Sequence, residues 1–304
     1  MRRPSKKEQL EIRLRDGPVL LLDGATGTEI ESRGTPCDLP LWSTRALIES
    51  PDRVREIHRE YATAGAEIIT ANTFRTQQRT LQSAEKEYPG LGERDEEITR
   101  LAVALAQEGV EQARSHSWVA GSIAPLEDCY QPEKVPGTKA LELEHARHAD
   151  NLARAGVDLI LIETMNTTRE AAAASRAAQA TGLPFWISFV TTTSGQLLCG
   201  ESLSEAIDEI RIYSPSGIGI NCLPASTVNA SLRVLQETGL RFGLHTNLGI
   251  PGSDSEKVHR AQCTPERFAQ YTLRWAEAGA NWVGGCCGTT PAHTAAASRA
   301  LHAD

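Results

Sequence analysis

A single (β/α)8 barrel, the TIM-barrel class of α/β fold, is the architecture that the sequence predicts. Eight short apolar segments recur along the 304 residues, and each precedes a segment with helical character. Alternation of this kind produces parallel strands, and eight such units close into a barrel. An open doubly wound sheet is the alternative, but the loop at 23–27 lacks the glycine spacing of a dinucleotide-binding fingerprint.

Composition and charge favour a soluble protein that acts on small molecules. The net charge of −8 and the absence of a basic stripe argue against nucleic acid as a partner. No apolar run is long enough to span a membrane, and no signal peptide follows the basic N-terminus, so a cytoplasmic location without membrane contact is expected. No linker divides the chain, which predicts one domain over residues 1–304. Nothing in the composition specifies the oligomeric state.

The first four units begin with a short polar helix at 5–15 and an apolar strand at 19–22 that is expected to be buried on both faces. The next helix starts at Ser50-Pro51-Asp52, which supplies an N-cap, a proline at the first helical position and an acid in the first turn. The same unit then recurs, with strands at 67–70, 118–121 and 157–162 and helices at 95–114, 138–155 and 168–180.

The last four units have the same pattern. Their strands are predicted at 184–190, 217–221, 241–245 and 281–284. Their helices are predicted from Ser202, over 226–238, from Thr264 and over 291–302. A loop containing Pro251 and Gly252 separates the seventh strand from its helix.

Polar side chains stand where these strands end. In (β/α)8 barrels, functional residues lie at the carboxyl ends of the strands and in the loops that follow. Those positions supply acids, amides, hydroxyls and thiols: Asp23, Asn72, Thr73, Ser122, Glu163, Asn221, Cys222, Asn247, Cys286 and Cys287.

Three of the seven cysteines form a candidate zinc site. Cys286 and Cys287 end the eighth strand between glycines, and Cys222 ends the sixth, so only one strand separates them. Zinc suits thiolate ligands, and three cysteines leave a fourth position open, as in catalytic zinc sites. Asn247 could occupy that position in the absence of substrate. The other four cysteines are interpreted as reduced, buried thiols.

The charge of the proposed site indicates its chemistry. An open zinc position suits hydrolysis by bound water or activation of an incoming thiol. Three thiolates leave the site with a net charge of −1, which weakens the metal as an acid toward water and favours the thiol. Asp23 and Glu163 could bind a substrate ammonium, and the backbone N–H groups at Gly24 and Ala25 could bind its carboxylate. An amino acid that carries a thiol satisfies all these features.

The motifs that contain these residues resemble the homocysteine S-methyltransferase family over about residues 18–302. They are Asp23-Gly24-Ala25, Ala71-Asn72-Thr73-Phe74, Ile162-Glu163-Thr164, Gly219-Ile220-Asn221-Cys222 and Gly284-Gly285-Cys286-Cys287-Gly288. The resemblance implies a zinc barrel in which the homocysteine sulfur is the fourth ligand beside the three cysteines. Asp23 and Glu163 would bind the ammonium, with Gly24 and Ala25 near the carboxylate. Asn72 and Thr73 would also contact substrate, and Asn247 would lie near the metal.

The methyl donor is the least determined part of the resemblance, because the chain departs from the family pattern at 123–125, 191–194 and 245–249. No folate- or cobalamin-binding module and no oligomerisation extension is seen, which favours S-methylmethionine or S-adenosylmethionine as donor. Trp42 or Phe74 could face a cationic donor. The alternatives are betaine, a corrinoid protein in trans, another thiol or selenol as acceptor, and a zinc- or thiol-binding protein without turnover.

Overall fold

Eight parallel strands form one sheet in the computed structural model, which describes residues 4, 6–249 and 263–303. They are β1 (Leu20–Leu21), β2 (Ile68–Ala71), β3 (Trp118–Ile123), β4 (Leu159–Met165), β5 (Phe185–Phe189), β6 (Gly217–Pro224), β7 (Phe242–Asn247) and β8 (Trp282–Gly285). Neighbouring strands follow chain order from β2 to β8, and β8 pairs with β1. A parallel bridge between Leu22 and Ile68 connects β1 to β2. The predicted (β/α)8 barrel is therefore confirmed.

Helices surround the strands. They are α1 (Lys6–Asp16), α2 (Gly27–Ser32), α3 (Arg45–Glu49), α4 (Pro51–Thr63), α5 (Gln78–Ser83), α6 (Asp95–Gln112), α7 (Thr138–Ala155), α8 (Thr168–Ala180), α9 (Leu203–Ile210), α10 (Asn229–Glu237), α11 (Pro265–Glu277) and α12 (Pro291–Leu301). The short helices α2, α3 and α5 lie in segments for which the sequence predicted no helix or strand. In the part of the chain that the structure describes, no helix is long and apolar enough to cross a membrane. The predicted loop containing Pro251 and Gly252 lies outside the described residues.

Helix α1 contributes to the interior of the barrel, although its sequence is mostly polar. Leu10 and Leu14 are buried and belong to the same apolar cluster as Leu20, Trp186 and Trp282. Residues of β1 to β5 and β8 complete this cluster. The first helix therefore packs against the interior rather than only preceding it, because its two leucines cover apolar surface that the strands leave open.

Two stacked tryptophans fill part of the barrel interior. The rings of Trp186 and Trp282 have centroids 4.4 Å apart and are inclined by 18°. Glycines on β6 and β7 make room for them, since a Cβ atom at Gly243 would stand 2.2 Å from the Trp282 indole and one at Gly217 would stand 2.5 Å from it. Trp186 and Trp282 lie near the amino-terminal ends of their own strands, β5 and β8. The open space in the barrel therefore lies toward the carboxyl-terminal ends of the strands.

Candidate metal centre and substrate cavity

A cavity of about 430 Å³ lies at the carboxyl ends of the strands. This volume is within the range of ligand pockets, roughly 300–1,000 Å³. Most of the residues that the sequence analysis identified line this cavity: Asp23, Gly24, Ala25, Asn72, Ser122, Glu163, Cys222, Asn247, Cys286 and Cys287. The residues expected at the carboxyl ends of the strands therefore lie around one cavity.

Cys222, Cys286 and Cys287 converge on one part of this cavity. Their Sγ atoms all lie within 4.8 Å of one another, and those of Cys222 and Cys286 are 2.9 Å apart. Sulfur ligands at about 2.3 Å from a tetrahedral zinc are about 3.8 Å apart, so a shift of about 1 Å between the Cys222 and Cys286 sulfurs brings the three thiols to the spacing of one such ion. In the described part of the chain this is the one group of three or more histidine, cysteine or acidic side chains close enough to share a metal.

The backbone around the cysteines is held by hydrogen bonds between strands. The N–H of Cys286 donates to the carbonyl of Thr246 at 2.7 Å, and the N–H of Cys287 donates to Oδ1 of Asn247 at 3.0 Å. Asn247 was expected to face the metal or the substrate. It lines the cavity, and its side-chain oxygen accepts the N–H of a candidate ligand.

The ends of β4 and β6 are irregular where they carry Glu163 and Cys222. Both strands extend past the predicted ends at 162 and 221, with register shifts typical of bulges. Thr164 has a φ of 61° and Cys222 a φ of 58°, which is uncommon for residues other than glycine. The bulges therefore place Glu163 and Cys222 within strands, whereas the sequence predicted that both follow a strand end.

Without a metal, the three thiols do not share their protons equally. Hydrogen bonds with Cys222 and Cys287, together with burial, raise the pKa of Cys286 well above its ordinary value. Hydrogen bonds from Cys222 and Cys286 lower the pKa of Cys287. Three thiolates this close together repel one another, and a divalent cation is the natural means of stabilising all three.

Asp23 is a buried carboxyl group that follows β1, where its backbone is bonded to Gly285 of β8 and to Ile68 of β2. Its Oδ2 accepts the N–H of Thr70 at 2.8 Å, and its Oδ1 accepts the Thr70 hydroxyl at 2.9 Å. Burial raises the pKa of Asp23 to about 8. In the absence of a cationic ligand this side chain is therefore mostly protonated at neutral pH.

Glu163 is oriented by three neighbours. The hydroxyl of Ser122 donates to its Oε1, Nδ2 of Asn221 donates to its Oε2 at 3.3 Å, and Nε2 of His245 lies 3.7 Å from Oε2. The sequence identified Ser122 and Asn221 but missed His245. That residue lies within β7, two positions before Asn247, and alternation along a strand is the signal that could have found it.

Three of the predicted substrate-binding residues have their polar groups engaged within the protein. The Thr73 hydroxyl donates to the carbonyl of Ser122 and accepts its N–H, and Thr73 is not among the residues that line the cavity. Asn72 lines the cavity but forms two hydrogen bonds with Ser43. The N–H of Ala25 donates to Oγ1 of Thr289 at 3.1 Å.

Aromatic rings border the cavity on the side of the loops after β1 and β2. The rings of Trp42 and Phe74 meet edge to face with centroids 5.5 Å apart, and Tyr130, from the loop after β3, also lines the cavity. All three rings are half-buried. Arg75 follows Phe74, and its guanidinium lies 5.9 Å from the Phe74 ring centroid. Arg75 and Tyr130 were not identified from sequence.

Comparison with known proteins matches the chain to the family model for homocysteine S-methyltransferase over residues 20–301. The homocysteine S-methyltransferase of Escherichia coli K12 is 30% identical over 313 residues, covering 96% of this chain and 98% of that protein. Homocysteine S-methyltransferase 2 of Zea mays is 30% identical over 312 residues, covering 94% of this chain and 91% of that protein. The metallated form of the homocysteine methyltransferase MmuM from Escherichia coli superposes with a TM-score of 0.80 at 28% identity, covering 95% of this chain and 99% of the other.

Proposed function

Because the chain belongs to the homocysteine S-methyltransferase family, we propose that it transfers a methyl group to the sulfur of L-homocysteine, giving methionine, with Zn²⁺ held by Cys222, Cys286 and Cys287. The observation that carries the proposal is the convergence of three thiols from β6 and β8 in a cavity that also contains two carboxyl groups. Three sulfur ligands suit zinc and leave one coordination position for a ligand from outside the protein.

The acceptor is an amino acid with a thiol. When bound at the three cysteines, zinc supplies the charge that keeps this thiol in its nucleophilic thiolate form near neutral pH. Asp23 and Glu163 receive the ammonium. Hydrogen bonds from Thr70 hold the Asp23 carboxyl group, and hydrogen bonds from Ser122 and Asn221 hold that of Glu163. Both carboxyl groups are therefore oriented before substrate enters. The N–H of Gly24, which donates to no acceptor in the described part of the protein, is the backbone donor for the carboxylate.

The donor is a sulfonium compound, S-methylmethionine or S-adenosylmethionine. The half-buried rings of Trp42, Phe74 and Tyr130 border the cavity, and aromatic faces attract onium cations in sites from which water is excluded. As the acceptor sulfur bonds to the methyl carbon, the S–CH₃ bond of the donor breaks and the donor leaves as a neutral thioether. The protein contributes alignment of the two sulfurs and exclusion of water.

Other readings give different outcomes in the same assay. Betaine or a methylated corrinoid protein could supply the methyl group, and another thiol or a selenol could accept it. A zinc- or thiol-binding protein without turnover would yield no methylated product.

Methionine formation from homocysteine with a panel of methyl donors tests the proposal. Purified protein should contain about one zinc per chain, and Cys286→Ser should lose it while remaining folded. Methionine formation should fall by more than about 100-fold in that variant, because even the loss of residues that support metal ligands costs 10- to 100-fold. Cys199→Ser is the matched control, since Cys199, which the sequence predicted to be buried, is instead exposed and lies outside the cavity lining. Zinc retained by Cys286→Ser, or no methionine with any donor, would contradict the proposal.

A further inference from the structure

Arg75 is a buried cation without an anionic partner among the described residues. Its residue is only 9% exposed, and in the part of the chain that the structure describes it forms no hydrogen bond or ion pair. Its guanidinium lies over the ring of Phe74, and its charge also acts on the nearby thiol of Cys129. Removing a charge from water without a counter-charge is costly, so such a side chain is expected to meet an anion in the working protein.

The acidic side chains of the loop after β3 are already engaged. Glu127 forms an ion pair with Arg79 at 2.9 Å. The carboxylate of Asp128 accepts hydrogen bonds from the N–H of Tyr130 and the side chain of Gln131. Neither lies within ion-pair distance of Arg75, so the anion that Arg75 lacks is not supplied by this loop.

Arg75 also has a distinctive position in the cavity. It is the one lysine or arginine among the described residues that line it, and it stands beside the Trp42–Phe74 ring pair. The proposed ammonium site of the acceptor, Asp23 and Glu163, consists of different side chains and forms no ion pair with Arg75. The cavity thus offers aromatic faces for an onium group next to a single guanidinium for a carboxylate.

We propose that Arg75 binds the carboxylate of the methyl donor and thereby selects donors that carry a carboxylate beside the onium methyl group. The inference rests on the proposed function, since it names the substrate class of the same site. The planar guanidinium can hold a carboxylate with two parallel hydrogen bonds, which fixes direction as well as position. Arg75 is therefore a specificity-determining residue that separates zwitterionic donors from simple onium ions.

Pairs of donors that differ in the carboxylate test this role. With homocysteine saturating, wild-type protein should use S-methylmethionine far better than trimethylsulfonium. Arg75→Met should lower kcat/KM for S-methylmethionine by about 10- to 100-fold, the range for losing a hydrogen bond to a charged group, and leave trimethylsulfonium nearly unchanged. The KM for homocysteine should not move. Arg75→Lys should recover part of the preference for S-methylmethionine over trimethylsulfonium, because lysine keeps the positive charge but lacks the two parallel N–H donors of the guanidinium.

Arg176→Met is the matched control, because Arg176 is ion-paired with Glu142 and lies outside the cavity lining. It should behave as wild type toward both donors. Equal losses with both donors in Arg75→Met would show a purely structural role and overturn the proposal. A raised KM for homocysteine alone would assign Arg75 to the acceptor and overturn it as well.

Binding without turnover separates this proposal from the proposed function. Calorimetry of the zinc-loaded protein without homocysteine should show that betaine binds more tightly than choline, and that Arg75→Met abolishes the difference. This result would stand even if no donor yielded methionine. If neither betaine nor S-methylmethionine showed carboxylate-dependent binding to the wild-type protein, the assignment of Arg75 would be wrong whatever the turnover assay gave.

Discussion

Asn221 and Thr164 form two hydrogen bonds with each other between the bulged ends of β6 and β4. Oδ1 of Asn221 accepts the N–H of Thr164 at 2.8 Å, and Nδ2 donates to Oγ1 of Thr164 at 2.8 Å. Thr164 follows Glu163 and Asn221 precedes Cys222, so the pair connects a proposed ammonium-binding carboxylate to a proposed metal ligand. The positive φ values of Thr164 and Cys222 persist because these bonds support them.

Replacing Asn221 with alanine should therefore weaken both the fold and the metal site. Loss of these bonds leaves buried polar groups of Thr164 unpaired, which costs about 1–3 kcal/mol of unfolding free energy. Zinc affinity should fall by about 10- to 100-fold, because the bulge no longer orients Cys222. Chelator competition and chemical denaturation measure the two effects. Asn229→Ala, an exposed site on α10, should change neither. Undiminished zinc affinity in Asn221→Ala would limit Asn221 to a structural role.

Asp23 should couple ligand binding to proton release. Burial raises its pKa to about 8, so the ligand-free carboxyl is mostly protonated at pH 7. An ammonium placed beside it favours the carboxylate, so binding releases the proton below pH 8. We expect about one proton released per methionine bound at pH 7, and none in Asp23→Asn. Calorimetry in buffers of different ionisation enthalpy measures this number, and methionine is the ligand because it has no thiol proton.

The control for Asp23 is Asp128→Asn, which changes another carboxylate of the cavity wall and should leave the proton release intact. An unchanged proton count in Asp23→Asn would assign the released proton to a different group. Affinity of the wild-type protein for methionine should rise about 10-fold per pH unit as the pH approaches 8 from below, because less work is spent on removing the proton.

His58 should make the protein sensitive to mild acid. Burial lowers its pKa to about 4 from 6.5, and neither ring nitrogen has a hydrogen-bond partner among the described residues. Above pH 6.5 both folded and unfolded states hold a neutral ring, and the full stability is present. As the pH falls from 6.5 toward 4, the unfolded chain binds a proton that the folded protein excludes, so stability is lost. His148, whose pKa burial also lowers to about 4, adds to this loss.

Replacing His58 with phenylalanine should reduce the acid-induced loss of unfolding free energy by about 1.4 kcal/mol per pH unit between pH 6 and 4.5. Urea denaturation at a series of pH values gives the slope directly. His116→Phe, at an exposed position, is the control and should leave the slope as in wild type. An identical slope in His58→Phe would mean that the buried ring is protonated in the folded state.

Gly243 should tolerate no side chain. A Cβ atom there would stand 2.2 Å from the Trp282 indole, so Gly243→Ala overpacks the barrel interior and should cost about 1–3 kcal/mol or more. Adding Trp282→Phe to Gly243→Ala should recover part of that cost, which makes the two changes non-additive. Trp282→Phe alone completes the cycle, since it reduces the indole without adding a Cβ atom at Gly243. Denaturation midpoints compare the variants.

The sequence alone was sufficient for the barrel and for the three thiols. Each strand and helix is encoded by local apolar periodicity and capping residues, which act over a few neighbours. The carboxyl ends of eight parallel barrel strands meet at one rim. The sequence therefore predicts that Cys222, Cys286 and Cys287 lie close together. Asp23 and Glu163 followed from the same rule, and all five side chains line one cavity.

Only the tertiary structure decided the orientation of individual side chains and the strand bounds at the rim. The hydroxyl of Thr73, predicted as a substrate contact, bonds to Ser122 forty-nine residues away. Helix α1, predicted as a short polar helix, packs two leucines against the barrel interior. The bulge at Cys222 depends on Thr164, and the isolation of Arg75 depends on where Glu127 and Asp128 find their partners. Periodicity specifies which elements form, whereas hydrogen bonds and burial between distant segments determine which polar groups remain free to bind a ligand.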